Sequence, residues 1–136
     1  KAAEREAKGS TSALDGVALA LPALMRAEKL QKRAARVGFD WPDPAGSAAK
    51  VHEELQELAE ADDASRMEEA GDLLFAAVNA VRAYGVAPED ALRAGNAKFE
   101  RRFRAMEELA TERGDVFAQL DLDAQEALWQ AVKRKG

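Results

Sequence analysis

Residues 53–72 read EELQELAEADDASRMEEAGD, and four of their carboxylates fall three apart in two pairs, Glu54 with Glu57 and Glu69 with Asp72. Residues three or four apart share a helix face. Two helices carrying such pairs can therefore bring four carboxylates together. Gathered like charges repel, so the cluster costs free energy unless a cation sits in it. Mg²⁺, a hard ion that takes oxygen ligands and usually holds substrate phosphates as well, is the natural candidate. The competing reading is a solvated acidic helix surface, the usual fate of a charge run.

The flanking sequence predicts helices on both sides. Ser47 can cap a helix running to about Ala61, with Val51, Leu55 and Leu58 as its apolar seam. Glu54 and Glu57 flank that seam with Lys50 between them in angle, and Lys50 can pair with Glu54 one turn on. Glu53 and Glu60 point further outward. After Asp62-Asp63-Ala64, Ser65-x-x-Glu68 reads as a capping box opening a helix that ends at Gly85. Met67, Leu74, Val78 and Val81 line one face of it, and Glu69, Asp72, Ala76, Asn79, Ala80 and Ala83 form an acidic and small stripe on the other. That stripe suits either close helix packing or room for a ligand. From Leu73 to Val81 this helix is apolar nearly all round, which predicts a central, buried helix. Glu69 and Asp72 at its start are costly unless paired or metal-bound.

Upstream, Pro22 suits a helix start, Leu24, Ala27, Leu30, Ala34 and Val37 give one apolar stripe, and Gly38 suits the stop. The opposite face carries Arg26, Lys29, Lys32, Arg33 and Arg36, either a solvated basic face or help with polyphosphate. Pro42 and Pro44 interrupt any helix through Phe39 and Trp41. These two aromatics are expected to plug the core at the turn; base stacking by Trp41 is the alternative. Downstream, Pro88 opens a long helix with a near-heptad seam of Leu92, Phe99, Phe103, Met106 and Ala110, stopped by Gly114. Lys98 and Arg102 flank that seam, either to clamp phosphates or to pair with Glu100 and Glu107. Asp123-x-x-Glu126 reads as the cap of a last helix holding Leu128, Trp129 and Val132. Trp129 with Lys133 makes either a base platform beside a cation or a terminal helix docked on the core.

Composition bounds the function. The 136 residues suit one domain, rich in helix formers, 47% hydrophobic and 33% charged. This favours an all-α fold. No cysteine is present and His52 is the single histidine, so a metal must be held mainly by oxygen. A net charge of -5 argues against a nucleic-acid polymer as partner. No apolar run approaches the ~20 residues of a membrane span, and a cytoplasmic protein is expected. Residues 1–14 read as a linker or flexible arm and residues 15–136 as the domain; Lys1 in place of Met suggests a cut from a longer chain. A helix as apolar as Leu73–Val81 is hard to bury in so small a monomer, which favours a dimer.

The Glu-Glu-x-x-Glu and Glu-x-x-Asp motifs on consecutive helices resemble the all-α nucleoside triphosphate pyrophosphohydrolases, and within them the MazG family. Residues 12–43, KVHEELQEL at 50–58, EEAGDLLFAAVNAVR at 68–82 and NAKFERRF at 96–103 carry the likeness. The resemblance implies a four- to five-helix MazG-like bundle forming an entwined homodimer. It implies a Mg²⁺ site (Mn²⁺ as substitute) on Glu54, Glu57, Glu69 and Asp72. It implies hydrolysis of NTPs and dNTPs to the monophosphate and pyrophosphate, with nucleotide contacts at Lys50, Glu53, Lys98, Arg101, Arg102, Trp129 and Lys133. Glu53, beside the metal pair, is the candidate base that orients the water. The alternatives are a helical dimerisation or nucleotide-sensing module without turnover, and a structural acidic bundle.

Overall fold

The computed structural model describes residues 12–41 and 43–136. Among them are five α-helices and no strand: α1 (Ala23–Arg36), α2 (Pro44–Glu60), α3 (Arg66–Ala83), α4 (Pro88–Glu112) and α5 (Leu122–Arg134), with a 3₁₀ turn at Phe117–Gln119. The expected all-α architecture is present. No helix among the described residues is long and apolar enough to cross a membrane. The arm expected at residues 1–14 lies largely outside the described residues. Ser12–Gly16 form a turn, and the Arg33 guanidinium donates to the carbonyls of Ala13 and Asp15.

The chain divides into two compact units, Lys1–Ala91 and Leu92–Gly136. In the first, α2 lies along α3 and α1 packs on α3. Its buried apolar residues are few, chiefly Ala76 and Val78. The Leu73–Val81 segment is therefore not the buried centre that its composition predicts: Leu74 is 60% and Phe75 46% exposed. Met67, expected on the same inner face, is exposed too. The apolar girth of α3 exceeds what two neighbouring helices can cover. In the second unit, Met106 and Ala110 of α4 meet Leu128 and Val132 of α5, with Phe103, Phe117 and Trp129 packed around them.

Pro22, Ser65 and Pro88 open their helices where expected, but the caps of α2 and α5 lie upstream of the expected residues. Asp43, not Ser47, caps α2, accepting from the Gly46 amide, with Pro44 at the first helical position where its missing N–H costs nothing. Ser47 is then inside the helix and buried. At α3 the hydroxyl of Ser65 makes no cap bond. Asp62 Oδ1 instead accepts from both the amide and the hydroxyl of Ser65, bonds that hold the Asp62 carboxyl below its ordinary pKa. Asp121, not Asp123, caps α5 by accepting from Ala124 N. At α2 and α5 an upstream aspartate wins because its carboxylate is a charged acceptor for the free amides of the first turn. The stops follow expectation, with Gly38, Gly85 and Gly114 at φ of +94°, +78° and +82°.

Phe39 and Trp41 do not plug the core. They meet edge to face at 6.4 Å and are both exposed, because the turn between α1 and α2 runs along the surface.

Candidate metal and nucleotide site

Three of the four motif carboxylates form a cluster where α2 meets α3. Glu54 and Glu57 from α2 and Glu69 from α3 each offer a carboxylate oxygen within 4.8 Å of the others. Asp72, one turn further along α3, is exposed and is not part of this threefold group; it lines the cavity described below together with Glu54. Glu54 is only 5% exposed. Its Oε1 pairs with Lys50 Nζ at 2.9 Å, while its Oε2 is buried with no hydrogen-bond partner. Glu69 Oε2 is likewise buried and unpartnered. A buried carboxylate oxygen without a donor costs free energy comparable to a lost charged hydrogen bond. The Glu57 carboxyl is held above its ordinary pKa, first by the charge of Glu54, then by burial and by Glu69. These donors fit a hard divalent cation: all are oxygens, two are orphaned, and together they repel.

Lys50 does not fill that need. Its ammonium is pulled sideways to Glu53 at 2.6 Å as well as to Glu54, and these two bonds raise its pKa. The pairing predicted between Lys50 and Glu54 is present, and it leaves the second oxygen of Glu54 free.

A cavity of about 510 Å³ opens beside the cluster. Glu54, Lys50 and Asp72 line it, and so do Gln31, Asn79 and Arg82. The last three belong to a polar network that sequence reasoning missed. Arg82 Nε donates to Gln31 Oε1 at 3.3 Å, and its Nη2 donates to Asn79 Oδ1 at 2.7 Å and Asp40 Oδ1 at 2.8 Å. Gln31 Nε2 donates to the Phe75 carbonyl at 3.0 Å, and Asn79 Nδ2 to Ser47 Oγ at 3.3 Å. The available signals were a glutamine, Gln31, within the apolar stripe of α1 and an asparagine, Asn79, on the small-residue stripe of α3.

The remaining expected nucleotide contacts lie in the second unit. Lys98 and Arg101 on α4 and Lys133 on α5 are exposed, with no ion pair among the described residues. Arg102 stacks its guanidinium 5.8 Å from the Trp129 ring centroid, and its Nε is buried without a hydrogen-bond partner. Trp129 also lies 5.8 Å from Phe99 and packs on the α4–α5 core. The pairs expected with Arg102 do not form; Glu100 pairs with Arg104 instead.

No protein-family model matches the chain. Among curated proteins it is 48% identical over 141 residues to the nucleoside triphosphate pyrophosphohydrolase of Escherichia coli (strain K12), covering 99% of this chain and 54% of that protein. It is 42% identical over 132 residues to the nucleoside triphosphate pyrophosphohydrolase/pyrophosphatase MazG of Thermotoga maritima, covering 96% of this chain and 52% of that one. The chain is MazG-like over 96% of its length. A third match, 45% identical over 138 residues, is the uncharacterized protein YabN of Bacillus subtilis, of which the MazG-like chain covers 28%. The MazG-like chain spans about half the length of the two pyrophosphohydrolases it matches.

Proposed function

We propose that this MazG-like chain hydrolyses nucleoside triphosphates, NTP and dNTP alike, to the monophosphate and pyrophosphate in a Mg²⁺-dependent reaction, Mn²⁺ substituting. The observation that carries the reading is the pair of buried, unpartnered carboxylate oxygens on Glu54 and Glu69 inside a three-carboxylate cluster. The names of the relatives point the same way. Glu54, Glu57 and Glu69 would hold the ion, with Asp72 completing the set as the resemblance implies. Bound there, a divalent cation neutralises phosphate oxygens and makes water more acidic.

The chain's own residues do the rest. Lys50 fixes Glu54 through Oε1, so the acceptor oxygen stays aimed away from the ammonium. Glu53 is exposed and tied only to Lys50, free to turn and take a proton from water. The water oxygen bonds to the α-phosphorus, the bridge from that phosphorus to the β-phosphate breaks, and pyrophosphate leaves with the electron pair. Lys98, Arg101, Arg102, Trp129 and Lys133 are assigned to the nucleotide on the resemblance alone. The test is pyrophosphate release from a panel of NTPs and dNTPs with Mg²⁺, then with EDTA. Release that EDTA abolishes, with the monophosphate as the other product, is the expected result. Orthophosphate as product, or no turnover by a folded sample, would sink the reading.

The same proposal includes a homodimer. Leu55, Leu74 and Phe75 are exposed on α2 and α3, more apolar surface than water tolerates well on a helix pair. A second copy laid on this surface supports the entwined arrangement that the resemblance implies. Leu74→Asp is expected to shift the mass measured by light scattering from two chains to one. An unchanged mass would place the dimer contact elsewhere.

A further inference from the structure

We propose that Ser47 and Asn79 are positioning residues for the metal site: their contact, aimed by Arg82, sets the register of α3 against α2 that brings Glu69 to Glu54 and Glu57. This deepens the pyrophosphohydrolase reading and rests on it for the cation at the cluster. The two helices run antiparallel. Ser47 near the start of α2 meets Asn79 near the end of α3 at 3.3 Å, and Glu57 near the end of α2 meets Glu69 near the start of α3. From the first contact, seven residues forward on α2 reach Glu54 and seven back on α3 reach Asp72; three more in each direction reach Glu57 and Glu69. Seven residues are close to two full turns, with a drift of only ~20°, so residues seven apart keep one face. The contact of Ser47 with Asn79 therefore sets the motif carboxylates of the two helices at matching heights on facing sides. Asp72 falls opposite Glu54 in this register, and the two line one cavity.

Neither apolar packing nor the carboxylates choose this register. From Leu73 to Val81 α3 is apolar nearly all round, and burial of apolar surface is non-directional, so several faces of α3 would serve against α2. The carboxylates repel one another, as the raised pKa of Glu57 records, and left alone they push the helices apart where they meet. The polar network is directional. Ser47 is 1% exposed, so a slip that unpaired it would leave a hydroxyl buried without a partner. Arg82 Nη2 donates to Asn79 Oδ1 at 2.7 Å, which fixes the oxygen end of the amide and leaves Nδ2 to donate to Ser47 Oγ. Arg82 is aimed in turn by Gln31 Oε1 and Asp40 Oδ1, and Gln31 by the Phe75 carbonyl. One buried polar contact can fix the register of two helices whose apolar surfaces leave it open. A slip of a single residue turns α3 by about 100° and carries Glu69 off the shared face.

The test is calorimetric titration of Mg²⁺ and of Ca²⁺ into the metal-free protein, which needs no turnover. Mg²⁺ demands near-ideal octahedral oxygens, whereas Ca²⁺ tolerates a looser set. Ser47→Ala removes one hydroxyl from the contact and leaves every Arg82 bond in place. It is expected to weaken Mg²⁺ about tenfold, the lower end of the scale for lost outer-shell support, and Ca²⁺ by less than about threefold. Asn79→Ala should do the same. The double variant should lose no more than Asn79→Ala alone, because the two side chains act as one contact. Val78→Ala controls for stability: it empties a buried apolar site on the same helix, and should lower the melting temperature with the preference between the two ions unchanged. A Mg²⁺ affinity that ignores both Ser47→Ala and Asn79→Ala, losses that add in the double variant, equal losses for the two ions, or a shifted preference in Val78→Ala would overturn the inference and leave the metal site standing. A parent protein that binds neither ion would overturn the site reading itself, and the inference with it.

Discussion

Glu54→Gln should lower pyrophosphate release about a hundredfold to a thousandfold, the scale seen when one preorganised electrostatic group is lost from an enzyme site. The substitution keeps the shape of a residue that is 5% exposed, so packing barely changes. Its chemistry changes sharply. Lys50 Nζ, 2.9 Å from Oε1, donates and so requires an oxygen there, which turns the new amide nitrogen to the place of the orphaned Oε2. A donor then faces the position where a cation would need an acceptor. The stability of the metal-free protein should move the other way. Glu54 is the first cause of the raised Glu57 pKa, so removing its charge relieves repulsion among the three carboxylates. The expected pattern is a melting temperature in EDTA equal to or above the parent's, with no rise on adding Mg²⁺ where the parent is expected to show one. A variant that turns over at the parental rate would remove Glu54 from the site.

The carboxylate cluster was legible because most of its geometry is local. Glu54 and Glu57 are three apart on one helix, and a single helix contact brings Glu69 to them. The Arg82 network was not legible for the opposite reason: Gln31 lies 44 residues from Phe75 and 51 from Arg82, and nothing in helical periodicity links such positions. Helix identity was readable from apolar spacing and the stops from glycine, which alone takes positive φ without strain. Helix starts were misread where two capping residues compete within a few positions, as with Asp43 and Ser47 or Asp121 and Asp123, since each fits the local rule and only the chain's entry path chooses between them. The fate of Phe39 and Trp41 was a tertiary question. An aromatic pair between two helices reads the same whether it fills a core or rims a cavity. The overestimate for α3 has a related origin, because apolar girth reports how much surface wants covering and not which chain covers it. Residues 1–14 as an arm and 15–136 as one domain remain our proposal for the chain's organisation.

Leu128→Ala should cost about 2–5 kcal/mol, the range for emptying a buried leucine site. Leu128 is 3% exposed and belongs to a core of four buried residues, with Met106, Ala110 and Val132. A core this small has little to close over the lost volume. Ala110, with no exposed surface, has no side chain beyond its Cβ to swing inward, and the rings of Phe103, Phe117 and Trp129 are held against one another: Phe103 lies 5.3 Å from Phe117, and Phe99 spans 5.8 Å to both Phe103 and Trp129. The cavity should therefore stay open, which puts the cost towards the upper part of the range. Leu122, at the first position of the same helix and 76% exposed, is the matched control, and Leu122→Ala should change stability by less than about 0.5 kcal/mol. Urea denaturation followed by circular dichroism reads both. Equal costs at the two positions would mean that α5 does not bury its Leu128 face in solution, and Trp129, one residue on, would then lose its standing as a packed ring.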